Sequence, residues 1–151
     1  MAQGLMLAAA ESCTGGWVAQ ALTAIAGSSL WFERGFVTYS NAAKQEMLGV
    51  DSATLAMHGA VSEPTARAMA AGALAHSRAQ VALAITGIAG PGGGSPDKPV
   101  GTVCFAWAGK NGAISAQTRH FEGDRESVRR QAVIAALRGV LALLQASSQR
   151  G

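Results

Sequence analysis

Leu5-Met6-Leu7-Ala8-Ala9-Ala10-Glu11-Ser12-Cys13-Thr14-Gly15-Gly16-Trp17-Val18 is the stretch on which the fold turns. Leu5 to Ala10 is short, apolar and closely followed by two glycines, the pattern of a buried strand. Glu11 to Gly16 then reads as a tight turn. From Trp17 onward Val18, Ala21, Leu22 and Ile25 recur at helical spacing, and Gly27 stands where a closing glycine belongs. Strand, turn and helix in that order open an α/β unit rather than a helical bundle or an all-β sandwich.

Working outward, Phe32 to Ser40 reads as a second strand. Ser40 or Asn41 can cap a short helix, Ala42 to Leu48, closed by Gly49. A further short helix spans Ser52 to Met57. Ser62 and Pro64 open another that runs to about His76, with the proline in the first turn, where its missing N–H costs nothing. Val81 to Thr86 is an apolar strand. Gly87 to Pro99 contains five glycines and three prolines and reads as a loop. Val100 to Ala108 and Ala113 to Phe121 form an antiparallel pair joined by a two-residue Asn111-Gly112 turn. Asp124 caps a long helix to about Gln145, its buried face formed by Val128, Ala132, Ala135, Leu137, Leu141 and Leu144. The expected architecture is one α/β domain, residues 1–146, with a mixed sheet and packed helices, followed by a disordered tail, 147–151.

Composition narrows the function classes. The chain has 151 residues, 49% of them hydrophobic and only 14% charged, with a net charge of +3. Its one cluster of positive residues is Arg125, Arg129 and Arg130, which suits an anionic small molecule better than nucleic acid. The abundant alanine suggests a surface covered by a second copy, so a homo-oligomer is expected. Two distant cysteines, Cys13 and Cys104, make neither a disulfide framework nor a zinc site and fit a reducing cytoplasm. No apolar run is long enough to span a membrane, and the first residues lack the basic start and cleavage site of a signal peptide. No metal and no cofactor is expected.

The turn carries candidate chemistry. A serine at a strand-to-helix turn lies near free backbone N–H groups that can hold an oxyanion or a phosphate, and Gly15 and Gly16 let a ligand approach the backbone. Equally, Ser12 or Thr14 can serve only as a helix cap. A serine nucleophile needs a base. His58, His76 and His120 show no triad-like arrangement. Of the three lysines, Lys110 lies in a turn and Lys98 in the loop, whereas Lys44 sits among Ala42, Ala43, Met47 and Leu48, where desolvation would lower its pKa. Cys13 is a rival nucleophile, since a thiolate gains from a helix N-terminus. The spacing leaves Ser12 and Cys13 both open. The glycine loop matches neither a nucleoside-triphosphate loop nor a dinucleotide fingerprint, yet its backbone can hold an anion.

Five segments in order now carry a resemblance. They are Ala10-Glu11-Ser12-Cys13-Thr14-Gly15-Gly16, Gly35-Phe36-Val37-Thr38-Tyr39-Ser40-Asn41-x-x-Lys44, Gly59-Ala60-Val61-Ser62-Glu63, Thr86-Gly87-Ile88-Ala89-Gly90-Pro91 and Lys98-Pro99-Val100-Gly101-Thr102-Val103. Together they resemble the CinA C-terminal domain, the nicotinamide-nucleotide amidohydrolase family, in its stand-alone form. The resemblance implies hydrolysis of the carboxamide of nicotinamide mononucleotide to nicotinate mononucleotide and ammonia. It also implies Ser12 as nucleophile, Lys44 as base and Tyr39 as a catalytic tyrosine. Thr14, Gly15, Gly16, Asn41, Thr86, Gly87, Gly90 and Arg125 are the expected substrate contacts. Rival expectations are a catalytically silent nucleotide-binding module and a Ser–Lys amidase on another amide. The family usually carries one more helix before the first strand.

Overall fold

The structure, a computed structural model, describes residues 4–150, with side chains to residue 146. Five strands form one mixed sheet: β1 (Leu7–Glu11), β2 (Phe32–Val37), β3 (Val81–Gly87), β4 (Thr102–Gly109) and β5 (Ile114–His120), in the order β2-β1-β3-β4-β5. β1 is parallel to both β2 and β3, while β4 runs antiparallel to β3 and β5 antiparallel to β4. The helices are α1 (Trp17–Thr23), α2 (Asn41–Leu48), α3 (Ser52–His58), α4 (Glu63–Ala75) and α5 (Arg125–Arg150). The expected single α/β domain with a mixed sheet is what forms.

The strands alternate large and small residues, and that alternation sets the layers. Leu7, Leu83, Ile85, Val103, Phe105 and Trp107 project to one face, where α1 and α5 cover them. Ala8, Ala10, Ala82, Ala84, Cys104, Ala106 and Ala108 project to the other, against Ala66, Met69, Ala70 and Ala73 of α4. Small residues on both sides let α4 lie close to the sheet. Much of the chain's alanine is thereby buried in this layer. Gly72 extends the same logic, because a Cβ there would overlap the Leu48 carbonyl from α2.

Several boundaries differ from the sequence reading for identifiable reasons. α1 ends at Thr23, and Gly27 instead precedes a 3-10 turn at Ser28–Leu30. The hairpin loop has three residues, not two. The Gly112 N–H donates to the Gly109 carbonyl at 3.0 Å and the Gly109 N–H to the Ala113 carbonyl at 2.8 Å. Gly112 alone takes the left-handed conformation, so Asn111 need not. On α5 the buried face contains Val133, Ala136 and Val140, whereas Leu141 is 58% exposed. The Asp124 cap forms, its Oδ1 accepting from the Ser127 N–H at 2.9 Å. α5 continues past Gln145 to Arg150; the expected disorder of 147–151 concerns side chains and a last residue outside those described.

Topology places the crevice. β1 connects through α1 to β2 on one side, and β2 returns through α2, α3 and α4 to β3 on β1's other side. The carboxyl end of β1 is thus a switch point, where ligands of open α/β sheets bind. Ser12 is the first residue beyond it.

Candidate active site

The turn after β1 is held by a carboxylate. Glu11, 1% exposed, accepts from the Thr14 hydroxyl at 2.7 Å and from the Val18 and Ala19 N–H groups at 2.8 and 3.0 Å. It caps α1 from the preceding strand, a task that falls to neither Ser12 nor Thr14. Gly16, the residue before the helix, has φ +106°, a conformation that glycine tolerates. With the cap supplied by Glu11, the Ser12 hydroxyl is left for other partners.

Its partner is Lys44. Ser40 caps α2 by accepting from the Ala43 N–H at 3.0 Å, and Lys44 lies one turn in. Its side chain is 1% exposed. The amine lies 2.9 Å from Ser12 Oγ, 2.9 Å from the Thr38 carbonyl and 3.5 Å from the Tyr39 carbonyl. Among the described residues no carboxylate pairs with it. Burial therefore pulls the Lys44 pKa down, opposed only by the neighbouring Cys13 thiol. The amine's three partners are a hydroxyl and two carbonyls, so no charged partner is there to hold it as an ammonium.

Cys13 has the opposite character. Burial pushes its thiol up to about 11, outweighing the pull of Arg129, so the thiolate needed for attack is scarce at neutral pH.

A cavity of about 290 Å³ opens over the pair. Ser12, Lys44, Tyr39, Asn41, Thr86, Gly87, Gly90 and Arg125 all border it. Three expected contacts do not. Thr14 is fully buried beneath the turn on Glu11, while Gly15 and Gly16 shape the turn away from the cavity. The Tyr39 hydroxyl accepts from Arg125 Nη2 at 3.2 Å and bonds neither Ser12 nor Lys44. Arg125 Nη1 also donates to the Gly90 carbonyl at 2.8 Å, tying the glycine loop to the start of α5. Ala60, Val61, Ile88 and Ala89 add an apolar wall that the sequence reading did not assign. The Thr86 hydroxyl holds that wall by donating to the Ala60 carbonyl at 2.8 Å. They lie within the motifs quoted above, but alanine, valine and isoleucine carry no chemical signal in a sequence.

The backbone near Ser12 sorts into engaged and free donors. The Ser12 N–H bonds the Ile85 carbonyl at 3.0 Å and the Gly15 N–H bonds the Ser12 carbonyl at 3.1 Å, so neither is available to a ligand. The last parallel pair of β1 with β3 is Glu11 with Ile85. By strand alternation Gly87, two residues on, turns its N–H to the side on which the Ile85 carbonyl meets the Ser12 N–H, beyond the end of β1. A Cβ at Gly87 would stand 2.8 Å from Val103 and 3.0 Å from the Thr102 carbonyl, so only glycine fits without a shift. Among the described residues no three His, Cys, Asp or Glu side chains cluster as metal ligands, and no helix is long and apolar enough to cross a membrane.

Comparison with known proteins follows the same lines. The family model of the CinA C-terminal domain matches residues 1–144. The chain is 60% identical over 136 residues to the nicotinamide-nucleotide amidohydrolase PncC of Escherichia coli (strain K12), covering 90% of this chain and 82% of that protein. It is 56% identical over 134 residues to the PncC protein of Pseudomonas putida, covering 89% and 83%. Among solved structures, the competence/damage inducible protein CihA from Agrobacterium tumefaciens superposes with a TM-score of 0.92 at 53% identity, covering 94% of this chain and 87% of that one.

Proposed function

The chain belongs to the CinA C-terminal domain family and is a hydrolase of a linear amide C–N bond; we propose that it deamidates nicotinamide mononucleotide by a Ser12–Lys44 mechanism. The observation that carries the mechanism is the 2.9 Å contact between a buried, carboxylate-free lysine amine and the Ser12 hydroxyl.

In the proposed reaction Ser12 Oγ attacks the carboxamide carbon while its proton passes directly to Lys44 Nζ. The carbonyl oxygen becomes an oxyanion, held by the Gly87 N–H. Collapse breaks the C–N bond, and Lys44 returns the proton to the leaving nitrogen, which departs as ammonia. Water then attacks the acyl-enzyme, loses a proton to Lys44, and nicotinate mononucleotide leaves as Ser12 regains its proton. The direct Lys44 contact leaves Tyr39 a binding role through Arg125 rather than a relay. The apolar wall suits the pyridine ring. Arg125 supplies charge for the phosphate, and Asn41, which borders the same cavity, an amide donor. A cavity of about 290 Å³ fits one mononucleotide-sized ligand.

Ammonia release from nicotinamide mononucleotide tests this reading. The wild-type protein should release it and Ser12→Ala should not. Binding without release would mark a silent nucleotide module. Equal turnover of the unphosphorylated riboside would remove Arg125 from phosphate recognition and favour a broader Ser–Lys amidase. The same reading holds the protein to be a cytoplasmic homo-oligomer. Exposed Ile25, Leu30 and Leu141 support self-association, and sedimentation velocity checks it.

A further inference from the structure

We propose that Arg129 is a positioning residue for Ser12: it holds the nucleophile's turn through two backbone carbonyls. Arg129 lies one helical turn after Arg125 on α5 and is half-buried. Its Nε donates to the Cys13 carbonyl at 3.0 Å and its Nη2 to the Thr14 carbonyl at 3.1 Å. Its guanidinium carbon lies over the Trp17 ring, 5.4 Å from the ring centre. Arg130, next in sequence, instead pairs with Glu126 at 3.5 Å on the exposed side of the helix. The three arginines of the cluster therefore have three separate duties.

The two carbonyls belong to the Cys13–Thr14 and Thr14–Gly15 peptides, the second and third peptides after Ser12. A trans peptide directs its N–H opposite to its C=O, so anchoring these carbonyls on Arg129 orients the turn's amides as well. Glu11 grips N–H groups from the other end of the same turn. The turn is held between a carboxylate that takes the Thr14 hydroxyl and the first amides of α1 and a guanidinium that takes the turn's carbonyls. A planar fork serves two adjacent carbonyls from two fixed nitrogens while lying over a ring; a lysine ammonium would have to bring both bonds to one nitrogen. Arg129 touches neither the cavity nor Lys44, so its effect on chemistry passes through the position of Ser12. A displacement of about 1 Å at a reacting group costs on the order of a hundredfold in rate.

The inference rests on Ser12 being the nucleophile, and its test does not depend on the substrate. A fluorophosphonate probe reports the nucleophile alone. Ser12 Oγ forms the O–P bond, fluoride departs with the bonding pair, and the serine proton goes to Lys44. The labelling rate at Ser12, followed by intact mass, should fall at least about tenfold in Arg129→Ala. Arg129→Lys should not restore it, whereas millimolar guanidinium should restore part of it in Arg129→Ala and equal sodium chloride should not. With nicotinamide mononucleotide, kcat should fall more than KM rises. Wild-type labelling in Arg129→Ala, or in Arg129→Lys if the alanine variant does not fold, overturns the proposal. Wild-type protein that labels at Ser12 yet releases no ammonia contradicts the substrate assignment and leaves the arginine comparison standing. Failure of the wild-type serine to label above Ser12→Ala overturns both.

Discussion

Two hollows lie on either side of Val61, and the one richer in familiar catalytic residue types is the one without a reactive pair. The second hollow, about 400 Å³, gathers His58, Glu63, Asp97, Cys104 and His120. Each has its capacity used elsewhere or dissipated in water. Glu63 accepts from the Thr118 hydroxyl at 2.7 Å, and that hydroxyl also lies 3.5 Å from Cys104 Sγ. Burial pushes the Cys104 thiol up. His58 and His120 are exposed. Lys98 is drawn off to the His58 carbonyl at 2.8 Å. The first hollow has one serine and one lysine, but the lysine is desolvated, faces no carboxylate and sits 2.9 Å from the hydroxyl. Desolvation and aim set the first hollow apart, not the number of its titratable side chains.

The largest effect that would break this contrast is loss of the pair. Ser12→Ala and Lys44→Arg should each lower kcat by about a thousandfold or more, because arginine keeps the charge but cannot give up its proton. Ammonia release measures both, and a Lys44→Arg variant near wild-type activity would remove the base from the scheme.

Next comes pH. Only the neutral amine accepts the serine proton, so kcat/KM should climb about tenfold per unit on the acid side of the Lys44 pKa. That limb should end below the ordinary lysine value of about 10.4. Stability carries the same sign. The folded state disfavours the ammonium, so unfolding takes up a proton between the lowered pKa and the ordinary one. Stability should therefore rise with pH across that window in the wild type and not in Lys44→Met, as denaturant melts would show.

Smaller still is Arg125→Met. Losing the charge that ties Gly90 and Tyr39 together should raise KM for the phosphorylated substrate by about tenfold, with kcat less affected. The smallest effect belongs to the other hollow: His58→Ala and His120→Gln should change kcat/KM by less than about twofold. A larger change would mean the two hollows are not functionally separate.

How much of this was readable in the chain differs by level. The strand-turn-helix at Ser12, the Ser40 and Ser62 caps and the closing Gly49 were legible, because caps and glycines act locally. Lys44 was legible as a lysine in apolar company, although its aim at Ser12 across the crossover was not. The roles of Glu11 and Arg129 were not legible, for a common reason. Their partners are backbone groups, and Arg129 finds its partners more than a hundred residues away, which no periodicity records. The exposed Leu141 was misassigned because Ala132 to Leu144 is apolar apart from Arg138 and Gly139, so that part of α5 marks no single buried stripe.

The protonation of one amine decides between these readings most directly. With only Lys44, Lys98 and Lys110 in the chain, a carbon-13 titration of the lysine Cε signals, assigned with Lys44→Met, isolates it. A Lys44 midpoint below those of Lys98 and Lys110 is expected. A Lys44 that titrates with the other two, or above them, contradicts a neutral base beside Ser12.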